Sequence, residues 1–85
     1  MIEEIIAELT TELQIADPHL FNADLLRVKV NGAYREVRAA RRYPAFYSEA
    51  EIESDMNKYY SNVLAIARYD YNIVGAEGQK SYHED

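Results

Sequence analysis

The chain has no cysteine and no tryptophan, only two phenylalanines, three glycines and two prolines among its 85 residues. Without cysteine it has neither disulfides nor thiolate metal ligands, so nothing covalent or metallic staples so small a fold. A domain of this size buries only about 60–65% of the surface its unfolded chain exposes. That predicts a fold of marginal stability, completed by partners. No apolar run approaches the roughly 20 residues of a spanning helix. The start, MIEEIIAELT, opens on acids where a secretory signal carries bases. The expected place is the cytoplasm or the inside of a soluble assembly.

Chemistry is also sparse. His19 follows Pro18 in a predicted loop and His83 lies near the end of the sequence, with no HExxH or related metal spacing. The GAEG run at 75–78 has no strand before it and no Lys-Ser directly after it, so it is no phosphate loop. Its glycines read as chain-turning residues. Glu77, His83, Glu84 and Asp85 read as a solvated tail. Neither a catalytic residue, a metal nor a cofactor is expected.

What the chain does have is tyrosine, eight in all, and a formal charge of -6 that is unevenly spread. Residues 1–17 hold five acids and no bases, residues 24–42 six bases against two acids, and residues 43–85 three bases against eight acids. The total disfavours a general nucleic-acid binder, although the middle segment leaves room for a local contact. Segregated charge suits head-to-tail contact between copies. Tyrosine combines apolar area with a polar tip, which serves either a small core or an interface.

Ile2, Ile5, Ile6, Leu9, Leu13 and Ala16 share one arc of a helix, and Asp17-Pro18 ends it. A second helix is predicted from an Asn22 or Asp24 cap to the Arg41-Arg42 region, with Leu26, Val30, Ala33, Tyr34, Val37, Ala40 and Arg41 on one face. Arg35, Arg38 and Arg42 lie opposite, with Arg27 beside them. Asn31-Gly32 is also a hairpin signal. A two-residue turn there would set Arg35 in the middle of the apolar face, whereas the helix keeps stripe and basic face apart, so helix is the expectation. The basic face reads as plain surface, as a contact in an oligomer, or as a nucleic-acid contact. Pro44 opens an aromatic joint at 44–47, and Ser48 with Glu51 matches a capping box. A third helix is predicted over 49–74 as one rod of roughly 39 Å, with Ile52, Met56, Tyr59, Tyr60, Val63, Ile66, Ala67, Tyr71 and Val74 as one broad stripe, ended by Gly75. Asp70 falls within its apolar stripe, level with Ile52, and so predicts a salt bridge or tyrosine hydrogen bond near the core, or else an inter-subunit contact.

Two stretches, FNADLLRVKVNGAYREVRAARRYP at 21–44 and DMNKYYSNVLAIARYDYNIVGAEGQKSYHED at 55–85, with the spacing between them, resemble the small phage head–tail connector proteins of the gp6-like group. The most specific element is a tyrosine-bearing terminal helix leading into Gly75-Ala76-Glu77-Gly78 and then Ser81. In that family a further glycine and serine follow, which this sequence lacks after Asp85, and Asn31-Gly32 departs from a plain helix former. The resemblance implies an all-α protomer without catalytic residues or cofactor, assembled as a ring of about twelve copies beneath the portal. Its partners would be the portal protein and a tail or second connector protein, with DNA passing through the channel without specific binding and no membrane. It implies a place in the virion at the head–tail junction, and in the host cytoplasm during assembly. The family's tail contacts map onto Gly75, Glu77, Gly78, Ser81 and Tyr82.

The sequence thus predicts one helical domain: a short N-terminal helix, a basic middle helix antiparallel to a long third helix, and a mobile tail at 75–85. Candidate interaction residues are Arg35, Arg38, Arg42, Asp70 and Tyr71, joined by those tail positions. The competing readings are a DNA-packaging accessory protein of the small-terminase kind and an unrelated helical protein–protein adaptor.

Overall fold

The computed structural model describes the backbone through Glu84 and the side chains through Ile73. The first helix, α1, is Ile2–Ala16 and buries Ile5, Leu9 and Leu13, spaced four apart on one ridge. It stops where expected. Asp17 turns extended at φ -154° before Pro18, whose ring excludes the helical conformation for its predecessor.

The second helix, α2, is Ala23–Arg41. Asn22 begins it by accepting a hydrogen bond from Leu25 N at 3.0 Å. Helix runs unbroken through Asn31-Gly32, burying Leu26, Val30, Ala33 and Tyr34, so the hairpin alternative does not form. Gly32 has no left-handed backbone, and a β-carbon built on it meets nothing within 4 Å. Gly32→Ala is therefore expected to stabilise the fold by about 1 kcal/mol. A thermal melt should move up by roughly 4–8 °C.

Arg42 ends α2 in the left-handed region at φ 52°, a place glycine usually takes. The chain reverses through the joint, and α3, Glu49–Met56, starts at Ser48 with the predicted capping box complete. Glu51 N donates to Ser48 Oγ at 3.1 Å and Ser48 N donates to the Glu51 carboxylate at 2.9 Å. Ser48→Ala should cost about 0.5–2 kcal/mol, visible as an earlier denaturation midpoint.

The single rod predicted over 49–74 is not what forms. A 3-10 turn, Asn57–Tyr59, separates α3 from α4, Tyr60–Glu84. A 3-10 turn stacks residue i+3 over residue i, and Lys58 Nζ accordingly lies 3.3 Å from Asp55 Oδ1. Helix continues past Gly75, the predicted stop. Helical backbone thus covers the predicted tail through Glu84, while the side chains of 75–85 lie outside the described residues.

The middle helix runs antiparallel to α3 and α4. Arg38 pairs with Glu49, Tyr34 with Glu53, and Asn22 with Tyr71, so advancing along one strand of contacts means retreating along the other. The first helix lies across this pair, with Glu3 reaching Arg27 on α2 and Glu12 reaching Arg68 on α4. Ile5, Leu9, Leu26, Val30, Met56 and Val63 are the large side chains sealed between them.

The docking of α1 also corrects the predicted stripe. Tyr60, Leu64 and Arg68 form the edge of α4 that α1 covers, through Tyr60 to Glu8 and Arg68 to Glu12. This draws Leu64 into the core, where the sequence pattern did not put it. Asp70 lies about 120° round the helix from Leu64. It is half-buried at the other edge, with neither a hydrogen bond nor an ion pair among the described residues.

Candidate functional site

The reversal at Arg42 brings the last turns of α2 against the joint and the first turn of α3. Between them is an open groove of about 590 Å³. Arg35, Arg38 and Arg42 line one wall, and Tyr43, Pro44 and Tyr47 another. Spacings of three and four put the three arginines on one side of α2.

Their charges are not equivalent. Arg38 pairs with Glu49 at 2.9 Å, and that hydrogen bond raises the guanidinium pKa further. Arg35 and Arg42 are exposed and have no ion-pair partner among the described residues. Three arginines against the single lining acid, Glu49, leave the groove with two positive charges.

The aromatic wall is held from behind. Tyr43 Oη donates to Asp55 Oδ2 at 2.6 Å, and Arg41 Nε donates to the same oxygen at 3.2 Å. Burial, then the Asp55 carboxylate, pushes the Tyr43 phenol upward, while that phenol and then the cations of Lys58 and Arg41 pull the Asp55 carboxyl down. The Arg41 guanidinium also sits 4.9 Å from the Tyr59 ring centre. Tyr47 packs 5.9 Å from Tyr43 and meets Phe46 edge-on at 5.4 Å. Phe46 itself is 82% exposed at the tip.

Arginine with tyrosine, part fixed and part solvated, is the composition of protein–protein hot spots. Chemically the groove fits a carboxylate or similar anion adjoining an apolar side chain.

The structure thus gathers Arg35, Arg38 and Arg42. It leaves Asp70 and Tyr71 at the far end of the helical pair, where the Tyr71 hydroxyl accepts from Asn22 N at 3.0 Å and its ring packs 6.3 Å from Phe21. Tyr71 thereby fastens the start of α2 to α4. Gly75, Glu77, Gly78, Ser81 and Tyr82 lie outside the described side chains. Tyr43 and Asp55 were not singled out by sequence, and Phe46 and Tyr47 were read only as an aromatic joint. The signal was the RRYPAFY run, which sets aromatics directly after the arginines.

Acid should loosen the fold. Hydrogen bonds hold three carboxyls below their ordinary values: Asp55 through Tyr43, Glu51 through Ser48, and Glu3 through Arg27. A lowered folded-state pKa gives stability that is present above the ordinary values of 4.5 and 3.8 and lost as pH falls through the folded ones. Thermal midpoints are expected to be level near neutrality and to drop below about pH 4.5. Asp55→Asn should shrink the drop.

Among the described residues no helix is long and apolar enough to cross a membrane, and no group of three or more histidine or acidic side chains is placed to hold a metal ion. Comparison with protein-family models, with curated proteins and with solved structures finds no match.

Proposed function

We propose that this chain is a structural virion protein, a head–tail connector subunit that assembles as a ring beneath the portal and joins the phage head to the tail. The observation that carries the reading is the groove, with unpaired Arg35 and Arg42 beside Tyr43 and Tyr47. Neither cation is in an ion pair among the described residues, and hot-spot composition points to a protein partner. The family likeness of 21–44 and 55–85 supplies the identity of the assembly.

The basic character of the middle helix has a narrower role in this reading than six bases suggest. Arg27, Arg38 and Arg41 are neutralised within the chain. Lys29, Arg35 and Arg42 have no ion-pair partner among the described residues, and of these Arg35 and Arg42 line the groove. A closed ring needs two different complementary faces on each protomer, and the groove supplies one. The overall charge of -6 suits a channel wall that lets DNA pass without gripping it.

Capture by immobilised portal protein from the same phage tests the reading, with duplex DNA binding measured in parallel. The expected result is stoichiometric retention on the portal and negligible DNA affinity. Failure on the portal, with DNA binding that weakens steeply with salt and vanishes in Arg35→Ala with Arg38→Ala, would transfer the protein to the packaging-accessory class.

A further inference from the structure

The most exposed large apolar side chains collect at the two ends of α2. At its C-terminal end are Phe46 and Tyr47. At its N-terminal end are Ile15 and Leu20, 79% and 71% exposed, with Tyr69 on the adjoining turn of α4. Val28 alone lies between. At 1.5 Å per residue, α2 separates the two ends by about 28 Å.

The charges left unpaired on the groove lining and at the Leu20 end are opposite in sign. The groove is lined by Arg35 and Arg42, neither in an ion pair among the described residues. The other end has Asp17, Asp24 and Asp70, none in an ion pair among the described residues, while the nearby arginines, Arg27 and Arg68, are taken up by Glu3 and Glu12. Leu20 stands out from a loop that Asp17 shapes by accepting Leu20 N at 3.3 Å. It therefore presents an apolar side chain next to a carboxylate, the combination the groove fits.

We infer that the occupant of the groove is a second copy of this chain. The Leu20 loop of one copy seats among Tyr43, Pro44 and Tyr47 of the next, and Asp17 and Asp24 meet Arg35 and Arg42. The contact is heterologous, because the two surfaces differ and lie at opposite ends, so each copy keeps one of each free for a further neighbour. This rests on the ring reading and adds to it the two faces that mate.

Charge reversal with complementation tests it by sedimentation velocity of the full chain over a concentration series. Wild type is expected to self-associate. Arg35→Glu with Arg42→Glu, and separately Asp17→Lys with Asp24→Lys, should each weaken association about tenfold or more. An equimolar mixture of the two variants should associate again, since each brings the native face the other lacks. Arg42→Gly controls for folding: it removes a groove cation but suits the left-handed backbone, so association should weaken while the thermal midpoint holds or rises. Association unchanged in both reversed variants, or unrestored on mixing, overturns the mating faces and leaves the ring reading standing. A chain monomeric at every concentration also overturns them, and portal capture then decides the ring reading separately.

Discussion

Leu9→Ala is expected to lower stability by about 2–5 kcal/mol, the cost of a buried methyl-bearing side chain plus the cavity it leaves. Leu9 is fully enclosed where α1 lies against α2 and α4. A chain of this length has a total stability of roughly 5–15 kcal/mol, so the loss is a large share of the whole. Each kcal/mol moves the midpoint of such a domain by roughly 4–8 °C, so the melt should fall by about 8 °C or more. The polar contacts of α1 do not compete with this. Arg27–Glu3 and Arg68–Glu12 are solvent-screened, with at least 40% of every partner exposed, and such pairs contribute about 0–1 kcal/mol. Glu12→Gln should therefore barely shift the melt. A large loss in Glu12→Gln with a small one in Leu9→Ala would mean that charge, not packing, holds α1.

Ala67→Leu is the second large effect, and it acts by excess volume. Ala67 has no exposed surface. Added carbons at a closed position force side chains off their rotamers or helices apart, at about 1–3 kcal/mol and sometimes more. Ala65, two residues away, is exposed. Ala65→Leu should stay within about 0.5 kcal/mol of wild type. Urea midpoints of the two variants give the contrast directly.

The limits of α1 and α2 were legible because their causes are local. Pro18 acts on the residue before it, and Asn22 caps with its own side chain. The hairpin signal at Asn31-Gly32 lost to the helix because only the helix puts Leu26, Val30, Ala33 and Tyr34 on one side. The break at Asn57–Tyr59 was not legible. The Asp55 carboxylate just before it is held by Arg41 and Tyr43, from α2 and the joint, and no periodicity within the third segment records them. Leu64 and Asp70 changed places for the same kind of reason, since the sequence does not say which edge of α4 receives α1. Of the groove, the alignment of Arg35, Arg38 and Arg42 could be read from their spacing. That Glu49 takes Arg38, and that Tyr43 and Tyr47 converge on the arginines, depends on the reversal at Arg42.

Electron microscopy of portal protein purified with this chain tests the central claim most directly. A rotationally symmetric ring of this chain stacked beneath the portal, absent from portal alone, is the predicted image. Portal particles identical with and without the chain, while the chain sediments as a monomer, would contradict it.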